Sequence, residues 1–322
     1  MSDPWRSTEP TTVPPVSRSQ NRADRRRHRG RRRTAWAVAV GAVLLGAATS
    51  FAAHRLHLVD TGASTPPVEP SAPPPVGALD LARPLAPVTS HLGGGSMSVA
   101  LLDERTRKWA AYGDDFFDTA SIVKVDILSA LLLQAQDARR ELTTRERELA
   151  TAMVENSDND AATTLWAAIG RAGGLDKANE RLGLKQTRGG EGTVWGLTRT
   201  TAADQVRLLQ SVFGRASPLD AASRSTVRHL MSHIATDQDW GVSAAADTGT
   251  SAALKNGWLQ RSQTSLWDVN SIGRIEKNGR TFYVAVLMNG AGTERHGIGL
   301  VEQAARAAAT SFAKSLDRGA TS

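Results

Sequence analysis

The longest run of uncharged residues lies near the start of the chain. Residues 34–53 contain no charged side chain, and they follow a segment rich in arginine. About twenty helical residues span the apolar core of a bilayer, so this run predicts a transmembrane anchor. Its alanine content and the cleavage-like sequence Ser50-Phe51-Ala52 leave a cleaved signal segment as the alternative. Both interpretations place the rest of the chain outside the cytoplasmic membrane.

Farther along, strand-like patterns form two groups, and helix-like periodicity fills the segment between them. The predicted strands are 96–102, 109–112, 252–259, 267–276 and 281–288. Asn278-Gly279 separates the last two strands and is typical of a tight hairpin. In the helical segment, Thr143 and Glu146 form a capping-box pattern. Thr200 or Thr201 is the predicted cap of a later helix.

The most apolar of the predicted helices begins near Ser121. Its residues as far as Leu133 are almost all hydrophobic, which predicts a buried, central helix with Asp118 or Thr119 as its cap. Lys124 lies three residues after Ser121, on the same face of the helix. A lysine amine in that position can accept the serine proton and make the hydroxyl a nucleophile.

The Ser-x-x-Lys spacing is weak evidence when it stands alone. A chain of this length contains about one such spacing by chance. This chain has a second copy, Ser311 and Lys314, in a predicted C-terminal helix. A polar residue in the first turn of a core helix is the more frequent explanation of such a serine. Partners elsewhere in the chain must decide between the two interpretations.

Charge and composition narrow the choice of function. The formal charge of +7 is accounted for by ten arginines and three acidic residues in residues 1–33. The rest of the chain is neutral, so nucleic-acid binding is not expected, and the arginines predict a cytoplasmic N-terminus. The absence of cysteine excludes disulfides, thiolate metal sites, a cysteine nucleophile and a lipid carried on cysteine. His229 and His233 have metal-ligand spacing without a third ligand, so no metal is expected.

A segment rich in proline follows the apolar run and is predicted to be a semi-rigid, extended linker. The chain therefore divides into four predicted parts. These are a basic cytoplasmic tail (1–33), an anchor or signal (34–53), a Pro-rich linker (54–79) and a folded domain (80–322).

Two further motifs follow Ser121 and Lys124 in the chain. Ser157-Asp158-Asn159 lies between two predicted helices, where cap and turn residues are also expected for purely structural reasons. Lys255-Asn256-Gly257 lies in a predicted strand and is followed by Trp258. A glycine inside a strand often marks a close approach by a ligand or another backbone. The similar sequence at 277–279 is explained by its hairpin turn.

The order of these three motifs resembles that of the class A β-lactamases and the related penicillin-binding proteins. The resemblance covers roughly residues 85–317. It implies an α/β fold of the α+β type, with a five-stranded, mostly antiparallel sheet flanked by helices and a second, helical lobe. The active site would lie between the sheet and this lobe. The strand–helix–strand order of the predicted elements agrees with this architecture.

The resemblance also implies roles for the motif residues. Ser121 would be the nucleophile that forms an acyl-enzyme, and Lys124 its general base. Ser157 would pass a proton to the leaving nitrogen, while Asn159 would contact the substrate amide. Lys255 would attract the substrate carboxylate.

The backbone N–H groups of Ser121 and Trp258 would form the oxyanion hole. Asn256 and Gly257 would complete the substrate-binding strand. The implied substrate is a β-lactam or a D-alanyl peptide of the cell wall. We expect a monomer that needs no cofactor and is held at the membrane by its N-terminal segment.

Several features depart from the family's pattern. Asn256 replaces the family's threonine, and the segment between Lys124 and Ser157 is short, which predicts an open site. The family's loop glutamate, which activates the deacylating water, has Glu191 as its counterpart, although Trp195 stands where an asparagine is expected. Glu191 is either a displaced deacylation base or a solvated loop acid. A binding or sensory module that has lost turnover is therefore the alternative to an active enzyme.

Overall fold

A six-stranded sheet is the centre of the structure, which is a computed structural model that describes residues 75–318. Its strands are β1 Leu79–Asp80, β2 Met97–Asp103, β3 Trp109–Tyr112, β6 Ala253–Gln260, β7 Trp267–Lys277 and β8 Arg280–Ala291. Their order in the sheet is β1-β3-β2-β8-β7-β6, and only the β1–β3 pair is parallel. The predicted α+β class is confirmed, with one strand more than the expected five. β1 has only two residues, too few to show an alternating pattern.

A separate two-stranded ribbon joins β4 (Phe117–Asp118) to β5 (Arg199–Thr200). Helices cover both faces of the sheet, and those on one face form the second, helical lobe. The helices are α1 Ala82–Thr89, α2 Val123–Asp137, α3 Thr144–Glu155, α4 Asn159–Ala168, α5 Arg171–Leu182, α6 Ala202–Phe213, α7 Ala221–Met231 and α8 Glu294–Arg318.

Most of the predicted caps are present. Thr143 and Glu146 form the capping box of α3, and Thr201 accepts from Asp204 at the start of α6. The predicted cap of the helix after Ser121 is wrong. Thr119 makes no capping hydrogen bond, and the Asp118 side chain pairs with Arg261 instead. The sequence motif could not show that this distant arginine would attract the carboxylate.

Two hydrophobic cores lie on opposite faces of the sheet. One contains α1 and α8, which pack against Val99 and Leu101 of β2. The other contains the helical lobe, with α2 at its centre, and takes Ala100 and Leu102 from the same strand. α2 is buried along nearly its whole length, as its apolar sequence predicted. Side chains of β2 thus alternate between two cores, and the helical lobe is fixed to the sheet by the second.

Within residues 75–318, the structure contains no helix that is long and apolar enough to cross a membrane. The predicted tail, the predicted anchor or signal at 34–53 and the linker as far as residue 74 lie outside the described residues.

A buried carboxyl group lies in the core two residues after Lys124. Asp126 of α2 is fully buried, and neither of its oxygens has a hydrogen-bond partner among the described residues. Gln205 of α6 also has an unpaired oxygen. Burial is the main cause that raises the pKa of Asp126 to about 7, and the Asp204 carboxylate contributes to the rise. The polar side chain of Gln205 lowers this pKa and partly offsets the two effects. Burial therefore favours the protonated form of Asp126 in this core.

We expect Asp126→Asn to stabilise the protein above pH 7. The folded state holds the Asp126 proton more tightly than the unfolded state, so wild-type stability falls as pH rises from about 4 to about 7. The raised pKa of Asp126 corresponds to a loss on the order of 4 kcal/mol, which the uncharged amide avoids. Denaturant unfolding at pH 5 and pH 8 measures the difference. Asp115→Asn, at an exposed acid, is the control. The same pH dependence in the wild type and Asp126→Asn would contradict the assignment.

Candidate active site

Ser121 lies in a short 3₁₀ turn, Ala120–Ile122, that leads directly into α2. The turn is held from behind by Asn270 of β7, whose amide donates to the carbonyl oxygens of Asp118 at 2.9 Å and Thr119 at 3.1 Å. Ala120 has a φ of +46°, an unfavourable value for alanine. The surrounding contacts therefore impose the conformation that presents Ser121.

The amine of Lys124 lies in the turn between α3 and α4. It donates to the Ser157 carbonyl oxygen at 2.7 Å, to Ser157 Oγ at 3.0 Å and to Asn159 Oδ1 at 2.8 Å. These bonds use all the donors of an ammonium group. The structure records no hydrogen bond between Lys124 and Ser121 in the described part of the chain. Burial lowers the pKa of Lys124 to about 7, although the Asp158 carboxylate opposes this effect.

Ser157 links two lysines. Its hydroxyl is 3.0 Å from Lys124 Nζ and 3.1 Å from Lys255 Nζ. Its φ is +53°, so the α3–α4 turn holds it in a conformation that serine rarely adopts. Asp158 caps α4 by accepting from the Ala161 N–H at 2.7 Å, which is the structural role its position suggested.

Lys255 is completely buried in β6. It also donates to the Asn256 carbonyl oxygen at 3.0 Å and to Gln238 Oε1 at 3.4 Å. Burial lowers the pKa of Lys255 well below its usual value, and the charge of Lys124 lowers it further. No carboxylate of the described residues is recorded in an ion pair with either lysine. A bound anion would favour the charged forms of these two lysines, which burial disfavours.

Gly257 marks a close backbone approach, as its position in a strand predicted. A Cβ atom there would lie 2.5 Å from the Ser121 nitrogen and 2.8 Å from the Ile122 nitrogen. Every other residue would therefore push β6 away from the turn that carries Ser121. The next residue, Trp258, packs its side chain against the opposite core, where its ring is 5.7 Å from that of Trp240.

Asn256 also faces away from the nucleophile. Its amide donates to the carbonyl oxygens of Gln238 at 2.8 Å and Trp240 at 3.0 Å. Its side chain therefore fixes β6 to the loop that places Gln238 beside Lys255.

In the loop that contains Glu191, the side chain next to Lys124 is that of Trp195. Glu191 is exposed, and no hydrogen bond of its carboxylate is recorded among the described residues. Trp195 lies instead over Lys124, with the ring centroid 4.9 Å from Nζ. Its indole N–H donates to Thr163 Oγ1 of α4 at 3.1 Å. An aromatic ring that covers the Lys124 amine thus stands where the family's pattern has an asparagine.

Sequence reasoning missed Asn270 and Gln238. Asn270 is completely buried in the middle of β7, beside Val269 and Ser271. β7 contains several other polar residues, Ser271 among them, so the sequence pattern did not single out Asn270. Gln238 ends a short 3₁₀ turn, Thr236–Gln238, and no motif in the sequence pointed to it.

A mostly antiparallel sheet, a helical lobe and a serine turn at the edge of β6 define the β-lactamase and transpeptidase-like class. The model of the beta-lactamase enzyme family matches residues 142–312, which is more than half of the chain. The chain belongs to this family.

Solved structures show the same fold. A class A beta-lactamase from Mycobacterium abscessus is 23% identical, with a TM-score of 0.63, over 72% of this chain and 99% of that one. A mutant of PBP-A, determined as an acyl-enzyme complex with penicillin G, is 20% identical, with a TM-score of 0.62, over 73% of this chain and 96% of that one. At these identities the likeness shows the fold alone.

Curated relatives include LppW, named as a candidate lipoprotein, of Mycobacterium tuberculosis and Mycobacterium bovis. They are 29% identical over 166 residues, which is 50% of this chain and 53% of each relative. The chain thus matches about half the length of these relatives. Family and fold together support a serine hydrolase.

Proposed function

We propose that the protein is a membrane-tethered serine hydrolase that acts outside the cytoplasmic membrane through an acyl-enzyme on Ser121. Its substrates would be β-lactams or D-alanyl peptides of the cell wall. One observation carries the proposal. Lys124 and Lys255 converge on the Ser157 hydroxyl, at 3.0 and 3.1 Å, beside the turn that presents Ser121.

In the proposed acylation, neutral Lys124 takes the proton of the Ser121 hydroxyl while Oγ bonds to the substrate carbonyl carbon. A neutral amine has two N–H donors and one lone pair, so it can still hold Ser157 and Asn159 while it accepts from Ser121. The oxyanion would lie between the N–H groups of Ser121 and Trp258. When the C–N bond breaks, the Ser157 proton goes to the leaving nitrogen, and Lys124 replaces it.

Substrate binding is proposed to use the positive charge of the site. A substrate carboxylate near Lys255 would favour the charged forms of the two lysines, whose pKa values burial lowers. Asn159 would contact the substrate amide, and the backbone at Gly257 would keep β6 against the nucleophile turn. Asn256 would act by holding β6 to the neighbouring loop.

The membrane tether is proposed from residues 34–53. The relatives named as candidate lipoproteins support an extracytoplasmic protein at a membrane. This chain has no cysteine to carry a lipid, so the apolar segment is the proposed attachment. N-terminal sequencing of the protein recovered from its cells distinguishes a retained anchor from a cleaved signal.

A binding or sensory module is the second candidate. It is favoured by the exposed Glu191 and by the indole of Trp195 over Lys124. Such a module would form the acyl-enzyme and keep it, whereas a β-lactamase would release it rapidly. Mass spectrometry of the intact protein over hours separates the two.

Treatment of the full-length protein with a fluorescent penicillin tests the proposed acylation. We expect one stoichiometric label, and peptide mapping is expected to find it on the peptide that contains Ser121. The chance copy at Ser311 is an internal control in the same digest, since it has the Ser-x-x-Lys spacing without the other motifs. Label on Ser311, or no label with any β-lactam, ester or D-alanyl peptide probe, would refute the proposal.

A further inference from the structure

Trp195 closes one side of the pocket around the Lys124 amine. Its ring centroid is 4.9 Å from Nζ, and its indole N–H donates to Thr163 Oγ1 at 3.1 Å. Thr163 lies one turn after Asn159 on α4, and Asn159 itself accepts from Lys124 at 2.8 Å. One helix therefore positions both the amide that binds the amine and the ring that covers it.

The loop that carries Trp195 is fixed at several points. The indole N–H of Trp166 donates to the Gly192 carbonyl oxygen at 2.9 Å, and the Gly190 N–H donates to Thr198 Oγ1 at 3.1 Å. The carbonyl oxygen of Thr198 accepts from the Thr119 N–H at 2.9 Å, just before the nucleophile turn. These hydrogen bonds join the loop to the helical lobe and to the segment before Ser121. They therefore hold Trp195 in its position over Lys124.

Release of an acyl group from Ser121 would require space beside a base. The water oxygen bonds to the ester carbonyl carbon and gives a proton to the base. The C–Oγ bond then breaks, and Ser121 Oγ recovers a proton. Glu191, the acid of this loop, is exposed, and Asp158 is used as a helix cap. Of the two lysines at the site, Lys124 is the one whose amine the indole covers, and we take it as the base.

We infer that Trp195 is a positioning residue that keeps Lys124 out of contact with water and thereby retains the acyl group on Ser121. The inference about retention rests on the proposed acyl-enzyme. The effect of Trp195 on Lys124 is independent of it and can be measured without any substrate.

Two effects of Trp195→Ala on the Lys124 amine oppose each other. Contact with water raises the pKa of Lys124, because burial is the main cause of its value of about 7. Loss of the aromatic face removes a cation–π interaction, which stabilises the charged amine, and therefore acts in the other direction. Burial has the larger effect, so we expect the pKa of Lys124 to rise.

The same variant should affect the two chemical steps in opposite directions. At pH 7, a higher Lys124 pKa leaves less of the neutral amine, so acylation should become slower, by up to about tenfold. At pH 9, where the amine is largely neutral, water has access to it and acyl release should accelerate by about tenfold or more. A general loosening of the fold would not produce slower acylation together with faster release.

The test uses the full-length protein with ¹³C-labelled lysine. NMR titration follows Lys124, which is assigned with Lys124→Met, in the wild type, Trp195→Ala and Trp195→Phe. Mass spectrometry of the intact protein then follows loss of the acyl group after a penicillin probe is removed. Trp195→Phe retains an aromatic face and should remain close to the wild type. Leu197→Ala, an exposed apolar residue of the same turn, is the matched control and should change neither measurement.

The possible outcomes are distinct. A Lys124 titration that is unchanged in Trp195→Ala overturns the inference, and so does a changed titration with an unchanged acyl lifetime. A wild type that is never acylated refutes the proposed function and with it retention, while the titration still reports whether Trp195 controls Lys124. If Trp195→Ala does not fold, Trp195→Leu keeps apolar packing without an aromatic cover, and the same criteria apply to it.

Discussion

Replacement of Lys124 by methionine is expected to slow acylation of Ser121 by about 10³-fold. A positioned general base contributes roughly 10²–10⁴ to the rate of such a step. Methionine keeps much of the volume of the buried side chain, so the main loss is the amine. The bonds from Nζ to Ser157 and Asn159 are lost as well, which removes the connection between the nucleophile helix and the α3–α4 turn. Stopped-flow labelling with a fluorescent penicillin measures the rate.

The pH dependence identifies the amine as the base. Since the pKa of Lys124 is lowered to about 7, the neutral form increases as pH rises through 7. The wild-type acylation rate should therefore increase across this range and level off above it. Lys124→Met should lose this increase. Lys314→Met removes the lysine of the chance Ser-x-x-Lys copy and is the matched control, with no change expected. A wild-type rate in Lys124→Met would mean that a different group accepts the serine proton.

Much of the fold could be predicted because its elements are specified locally. The capping box at Thr143 and the cap at Thr201 involve residues within one helical turn, and the pattern that predicts them is present in the sequence itself. The Asn278-Gly279 hairpin was predicted for the same reason, and both residues have a positive φ. The parallel strand β1 depends on pairing with β3 about thirty residues later, which no local pattern shows.

The residues of the candidate site could be predicted from the sequence, whereas the hydrogen bonds among them were harder to predict. The motifs named Ser157, Lys124 and Lys255, which the structure brings together on one hydroxyl. Helical spacing predicted that Lys124 lies on the face of Ser121, and it did not indicate the hydrogen bonds that the amine makes to the turn before α4. The Ser157 and Asn159 oxygens accept these bonds and so satisfy a buried amine. Such contacts with another segment cannot be read from the spacing within one segment.

Gly257 explains why a residue without functional groups can be essential to this site. We expect Gly257→Ala to reduce acylation by about 10³-fold and to destabilise the fold by roughly 1–3 kcal/mol. The added Cβ would lie 2.5 Å from the Ser121 nitrogen and 2.9 Å from the Thr119 carbonyl oxygen. Either β6 or the nucleophile turn has to move, and these two segments carry the N–H groups proposed for the oxyanion hole. Loss of one such donor costs on the order of 3 kcal/mol.

The glycine control and two measurements separate the site effect from a general loss of stability. Gly173→Ala lies in α5, where a new Cβ meets no atom within 4 Å, so it should be neutral or stabilise the helix by up to about 1 kcal/mol. Denaturant unfolding measures stability, and the acylation rate is measured under conditions where each variant is folded. Full acylation by folded Gly257→Ala would mean that the close approach of β6 to Ser121 is dispensable. A rate loss greater than the unfolded fraction explains would show that this contact is part of the chemistry.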